Sequence, residues 1–290
     1  MSTTAAYITG AVTSQDGTAI GYRQVGHGEG VLLIHGGMQA AQSFMQLATA
    51  LSSDYTVTVM DRRGRGQSGP FGANYSLARD VQDVAAVLHQ TGAQNIFGLS
   101  SGAIIALQSA LALPNIRKLA VYEPPLSVNH STDTTWLPRF DREIAQGDLA
   151  AAMVTVMKGT GDTSAFSKLP RFLTVPLLRL AVRAQSGEVQ GDDVPLAALI
   201  PTMHYDLQVV NETADTLPTF AAVKADVLLL GGSNSALFLK STLDRLSRVL
   251  PHVRRVEFKG FDHVAAANDG HPLQVAQVLS QFFGQAPNAD

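Results

Sequence analysis

Gly98-Leu99-Ser100-Ser101-Gly102 sets a hydroxyl between two glycines, just after an apolar run and just before a stretch with helical period. In that context a G-x-S-x-G pattern makes a tight strand-to-helix turn, which projects the Ser100 hydroxyl above a sheet in a strained conformation. Small residues two before and two after the serine leave the backbone room for the turn. The helix that follows adds its N-terminal dipole to the stabilisation of an oxyanion. The chemistry this points to is nucleophilic attack on a carbonyl. Without chemistry the same residues are a serine N-cap between glycines, but the flanking strand and helix favour the nucleophile.

A serine nucleophile needs a base. Among the 8 histidines, His263 in Gly260-Phe261-Asp262-His263 sits on a loop after the last β-branched run and fits that role. His271 precedes Pro272 at a helix start and reads as an exposed cap residue. His89, His130 and His252 fall on helices or surface loops. An earlier apolar run ends in His35-Gly36-Gly37, where the backbone N–H of Gly37 is expected to join that of Ser101 in holding an oxyanion. A missing side chain at Gly37 lets the backbone approach closely. His35, polar at a buried strand end, reads as structural and in need of a partner. Gly36, Met38 and Tyr205 are expected to touch the substrate.

Asp61-Arg62-Arg63-Gly64-Arg65-Gly66 suggests an anion loop but reads better as a structural turn, with Asp61 fixing nearby backbone amides. No glycine-rich cradle with a lysine is present, so ATP is not implied. No His, Asp or Glu spacing suggests a metal, and no cofactor is expected.

The elements that must position these residues follow from periodicity. Residues 7–14 and 19–25 alternate like an antiparallel pair around Asp16-Gly17. Residues 31–34, 55–60, 95–98, 118–122, 226–230 and 253–258 read as strands of a parallel sheet covered on both faces, which lose polar alternation. Helix-period stretches separate them. Residues 76–90 put Leu77, Val81, Val84, Val87 and Leu88 on one face, with Arg79, Asp80 and Asp83 outward. Residues 104–113 and 237–250 behave likewise. The fold class is therefore α/β, a doubly wound sheet. Residues 127–222 break the rhythm, with helical pieces at 140–157, 170–185 and 196–210 and no convincing strand. They read as a helical insertion between core segments 1–126 and 223–290. Its apolar residues Phe166, Leu169, Phe172, Leu173, Leu177 and Leu178 are expected either to line a hydrophobic pocket or to pack the insertion on the core.

Of the 290 residues 46% are hydrophobic and 16% charged, which suits a soluble chain with a sizeable core. A net charge of −3 argues against a nucleic-acid footprint or a polybasic membrane anchor. No apolar run approaches the ~18 residues of a membrane span, and no signal peptide is read at the N-terminus. With 0 cysteines, disulfides, thiolate metal sites and a Cys nucleophile are excluded. Cytoplasmic is the default location. No pattern fixes the oligomeric state, and a homodimer is admitted beside a monomer.

The order His35-Gly36-Gly37, Asp61 to Ser68, Gly98 to Gly102, then Gly260 to His263 resembles the α/β-hydrolase superfamily over the whole chain outside the insertion. The resemblance implies a mostly parallel eight-stranded sheet, a mobile helical cap and a Ser–His–acid triad. The serine elbow is similar to the esterase, lipase and lactonase branches. One departure stands out. The family's acid usually follows the seventh strand, where this chain reads Leu230-Gly231-Gly232-Ser233-Asn234-Ser235-Ala236 with no carboxylate. Asn234 or Ser235 there would orient an imidazole but stabilise its charged form poorly.

Some branches carry the acid after the sixth strand, which points to Glu123 in Tyr122-Glu123-Pro124-Pro125. The two prolines would hold it, and a buried glutamate must be paired. Its structural alternative is a loop cap or a pair with Arg62. Asp206 from the insertion, Asp262 beside His263, and a bare dyad stay open. The expected activity is cofactor-free hydrolysis of a small-molecule ester or lactone, with thioesters also open. A ligand receptor, a C–C hydrolase or lyase, and a haloperoxidase-like activity are the other readings of this scaffold.

Overall fold

Leu32 and Ile34 point to one face of a sheet, Val31 and Leu33 to the other, and all four are buried. The same two-residue alternation splits Leu119 and Val121 from Ala120 and Tyr122, and Val227 and Leu229 from Leu228 and Leu230. These stretches lose polar alternation because helices cover both faces.

The computed structural model describes residues 6–128, 132–161, 165–184 and 191–285. Its strands are β1 (Ile8–Thr13), β2 (Ala19–Gly26), β3 (Glu29–Ile34), β4 (Tyr55–Met60), β5 (Asn95–Leu99), β6 (Lys118–Tyr122), β7 (Asp226–Gly232) and β8 (Val253–Phe258). They form one 8-stranded sheet in the order β1-β2-β4-β3-β5-β6-β7-β8. β1 runs antiparallel to β2, and β2 to β4, while every later pairing is parallel.

The core helices are α1 (Met45–Leu51), α2 (Leu77–Thr91) and α3 (Ser101–Ala112). The connection from β6 to β7 holds α4 (Leu137–Ala145), α5 (Leu149–Gly159), α6 (Ala165–Lys168), α7 (Arg171–Ala184), α8 (Leu196–Leu199) and α9 (Met203–Glu212). After it come α10 (Leu237–Val249) and α11 (Pro272–Phe283). α2, α3 and α10 cover one face of the sheet, and α1 and α11 the other. A third apolar cluster, with Trp136, Phe140, Val156, Ile200 and Leu207, belongs to the β6–β7 connection and touches Met38 of the core.

Four expectations need correction. Asp80 and Asp83 of α2 are buried rather than outward. Asp83 takes Arg63 Nε and Nη2 at 2.7 and 2.6 Å, and Asp80 accepts from the Tyr75 hydroxyl. Carboxylates can face inward where buried donors wait for them. Residues 140–157 divide into α4 and α5 at Gly147, whose φ of 71° ends the first helix. Residues 196–210 divide into α8, a 3-10 turn at Ile200–Thr202 and α9, broken by Pro201. β8 is an edge strand with Arg254, Arg255 and Glu257 exposed, not one covered on both faces. No helix among the described residues is long and apolar enough to cross a membrane.

Candidate active site

Register brings the strand ends together. Gly98 lies opposite Ile34, Leu99 opposite Tyr122, and Tyr122 opposite Leu230. The ladder continues one step further, with Ser100 N–H donating to the Tyr122 carbonyl at 2.9 Å and Glu123 N–H to that of Leu230 at 3.1 Å. Ser100 and Glu123 thus stand one residue past adjacent strands, about 4.8 Å apart in the sheet direction.

The elbow's glycines are set by close approach. A Cβ at Gly98 would come within 2.4 Å of the Gly102 carbonyl oxygen, and one at Gly102 within 2.4 Å of the oxygens of Ile34 and His35. Only with both side chains absent can α3 start directly above β5 and against β3. Ser100 itself has φ 56°, Glu123 φ 46° and Met38 φ 52°. Three residues in this disfavoured region converge on one place, where surrounding packing must hold the strain.

His263 arrives from the loop after β8. Its Nδ1 lies 2.8 Å from Glu123 Oε2 and its Nε2 2.9 Å from Ser100 Oγ. An ionised carboxylate accepts only, so Nδ1 carries the hydrogen and Nε2 is left to accept the serine hydroxyl. Glu123 is fully buried while the His263 side chain is 34% exposed. The other carboxylate oxygen, Oε1, takes the Gly232 N–H at 2.7 Å. Glu123 therefore starts at the end of β6 and places its charge over the end of β7. It makes no pair with Arg62.

The carboxylate-free stretch after β7 holds the histidine loop instead. Asn234 N–H donates to the Phe261 carbonyl at 2.9 Å and its side-chain amide to that of Gly260 at 3.0 Å. From below, the Tyr122 hydroxyl donates to the Asp262 carbonyl at 2.8 Å. Phe261 stacks between Phe258 and His271, with centroids at 5.0 and 4.0 Å. The Asp262 carboxylate accepts from Val264 N–H and does not serve His263. His130 lies outside the described residues.

Asp61 accepts from the amides of Ala41 and Gln67 at 2.7 and 3.1 Å, the turn-fixing arrangement expected of it. His35 is fully buried, with Nδ1 at 3.0 Å from the Gly36 carbonyl and Nε2 accepting from Arg62 N–H at 3.3 Å. Burial, then the nearby Arg65 and Arg62, push its pKa well below the ordinary imidazole value. It stays neutral, as an uncharged partner of two arginines.

A cavity of about 750 Å³ opens above Ser100. Gly36, Gly37, Met38 and Ser101 line it from the core, and Trp136, Val156, Met157, Met203, Asp206 and Leu207 from the β6–β7 connection. Tyr205 does not. Met203, Asp206, Leu207 and Val210 share the cavity-facing stripe of α9, so Tyr205 turns the other way and stacks on Phe71 at 3.5 Å. That three-and-four spacing is the signal in the sequence that separates Asp206 from Tyr205.

The apolar residues of 166–178 do not form the cavity either. Phe172 is 74% exposed, and Leu169, Leu173 and Leu177 are also exposed. Asp206 does not reach His263; it is held by Arg62, Arg65 and the Ser101 hydroxyl. No group of three His, Asp or Glu among the described residues is placed to hold a metal.

The fold has counterparts among known proteins. A family model described as alpha/beta hydrolase fold matches residues 30–269, and the chain belongs to that family. Pimeloyl-[acyl-carrier protein] methyl ester esterases are 24% identical over 91% of this chain and 98% of their own length, in Xanthomonas oryzae pv. oryzae and in Xanthomonas axonopodis pv. citri. An α/β hydrolase from Sphaerobacter thermophilus superposes with TM-score 0.75 at 28% identity, covering 94% of this chain and 100% of the other. An enol-lactonase from Burkholderia xenovorans, at 17% identity and TM-score 0.70, covers 95% of this chain and 100% of its own and shares the fold. The relatives are hydrolases, in keeping with an enzyme acting on ester bonds.

Proposed function

We propose that this chain is a cofactor-independent serine hydrolase that cleaves a carboxylic ester or lactone through an acyl-enzyme. One observation carries the reading: His263 stands within hydrogen-bond distance of Ser100 Oγ on one side and of a buried carboxylate on the other. His263 Nε2 takes the Ser100 proton as Oγ attacks the carbonyl carbon, and returns it to the leaving alcohol. A water then gives its proton to the same nitrogen and attacks the acyl carbon, releasing the acid and restoring Ser100. Glu123 stabilises the imidazolium in both halves. The backbone N–H groups of Gly37 and Ser101 hold the oxyanion, each contributing about 10²–10³ in rate. Ser101 is the first residue of α3, where helical N–H groups are free to serve a ligand.

The cavity lining is mainly apolar, which suits a hydrophobic acyl or alcohol group. The naming of relatives as methyl ester esterases supports ester hydrolysis in general. The sequence favoured a receptor only through the missing acid after β7, and Glu123 supplies a carboxylate at that place.

The test is hydrolysis of p-nitrophenyl esters from acetate to octanoate by wild type and Ser100→Ala, beside labelling with a fluorophosphonate probe. Turnover and labelling that both vanish in Ser100→Ala support the reading. Hydrolysis surviving at the wild-type level in Ser100→Ala removes Ser100 as the nucleophile, and a wild type that neither turns over nor labels is a binding protein.

A further inference from the structure

Two guanidiniums lie buried beside the oxyanion side of the cavity, and one carboxylate serves both. Arg62 Nη1 donates to Asp206 Oδ1 at 2.7 Å and Arg65 Nη2 to Asp206 Oδ2 at 2.6 Å. The Ser101 hydroxyl, on the residue after the nucleophile, donates to Asp206 Oδ1 at 2.8 Å and accepts from Arg62 Nη1 at 3.0 Å. Arg62 and Arg65 come from the core loop after β4; Asp206 comes from α9 of the helical connection. The side chains of Arg62, Arg65 and Asp206 are 1%, 0% and 2% exposed.

Donors exceed acceptors here. Arg62 Nε and Nη2 and Arg65 Nε have no hydrogen-bond partner among the described residues, and Asp80 faces Arg62 at 3.9 Å, beyond a hydrogen bond. Two cationic forks and a hydroxyl converging on one point form a carboxylate receptor.

The receptor borders the reacting centre. A Cβ at Gly37 would come within 3.2 Å of Asp206 Oδ2, and Asp206 lines the cavity together with Ser100 and Ser101 while neither arginine does. The cavity's other acidic residues are Asp133 and Asp262, and no lysine or arginine lines it among the described residues.

We propose that Asp206 is a resident anion: it fills, from the insertion, the site that Arg62, Arg65 and Ser101 would otherwise offer to a substrate carboxylate, and so confines the cavity to esters with an uncharged acyl chain. This rests on the reading of Ser100 as the nucleophile of an esterase. Asp206 is on this account a specificity-determining residue. A second carboxylate brought by the substrate meets Asp206, Asp133 and Asp262 in the cavity lining, while the two guanidiniums lie behind Asp206 and do not line it.

The experiment compares p-nitrophenyl butyrate with p-nitrophenyl hydrogen succinate, which differ by a terminal methyl against a carboxylate, in wild type and Asp206→Ala. Wild type should prefer the butyrate by about tenfold or more. Asp206→Ala should lose activity on the butyrate and move the preference toward the succinate by on the order of 10–100-fold, mainly through KM, as a charge-assisted pair requires. Formate should raise the Tm of Asp206→Ala and leave that of wild type unchanged, and it should compete with the succinate ester in the variant. If Asp206→Ala does not fold in plain buffer, formate added during refolding should recover it. A wild type that cleaves both esters equally, or a variant that formate neither stabilises nor recovers, overturns the proposal. Failure of the esterase reading looks different: wild type then cleaves neither ester, while formate still stabilises Asp206→Ala without any turnover.

Discussion

Glu123 leaves the sheet at the end of β6, yet its carboxylate lies over the end of β7, because a glutamate side chain is long enough to cross one strand spacing. Gly231 and Gly232 make the crossing possible: a Cβ at Gly231 would come within 3.0 Å of Glu123 Oε1, and the Gly232 N–H is what that oxygen binds. Glu123→Gln keeps the shape and can keep the Gly232 bond, but it removes the charge that, on the proposed mechanism, stabilises the imidazolium. Its kcat should fall by about 10³–10⁴ with KM and Tm little changed. Asn234→Ala, which only loosens the histidine loop, should cost about tenfold or less. Steady-state kinetics on one p-nitrophenyl ester decide it, and equal losses in the two variants would remove Glu123 from the triad. Ser100 is legible in the sequence because Gly98 and Gly102 flank it between a strand and a helix, and His263 because it lies on the loop after the last strand. Glu123 is suggested only through the resemblance to branches that carry the acid after the sixth strand, since nothing local shows that a side chain reaches across to the next strand. Tyr205 was misplaced by one residue for want of the phase of α9.

At the scale of elements, strand positions were readable because burial on both faces leaves a short apolar run with nothing else to be. Helices were harder wherever buried charge or exposed apolar residues upset the pattern. α2 hides Asp80 and Asp83 against Tyr75 and Arg63, so its outward face could not be read from charge. α7 does the opposite, with Phe172 and Leu180 at 74% and 65% exposure. The cavity wall comes from α5 and α9 instead. Phe172→Ser and Leu180→Ser should therefore leave the acyl-chain profile from acetate to octanoate as in wild type. Met157→Trp, which adds bulk inside the cavity, should lower kcat/KM for octanoate about tenfold while sparing acetate, since one methylene in an apolar pocket is worth about 1–3 kcal/mol. A chain-length profile that moves with the α7 variants and not with Met157→Trp would place the acyl site on α7.

For the molecule as a whole, the helical connection between β6 and β7 meets the rest of the fold through charge as well as through apolar contact, and this joint predicts a pH signature. Burial alone would raise the pKa of Asp206, but Arg65 and Arg62 outweigh it and hold the carboxyl well below its ordinary range. A carboxylate with a depressed folded-state pKa contributes its full stability above the unfolded value of about 3.9 and loses it as pH falls from there toward the folded value. Asp206→Asn removes that contribution and leaves two buried guanidiniums without their anion, a loss of about 3–5 kcal/mol near neutral pH. Urea unfolding of both proteins should show this gap constant from about pH 7 down to about pH 4, then narrowing with further acid as wild type loses what the variant never had. Asp61 and Asp80 have pKa values raised, chiefly by burial, and so push stability the other way in acid. They are present in both proteins and cancel in the difference. A gap that persists unchanged well below pH 4 would mean that Asp206 acts through its shape, and that its charge is not what ties α9 to the loop after β4.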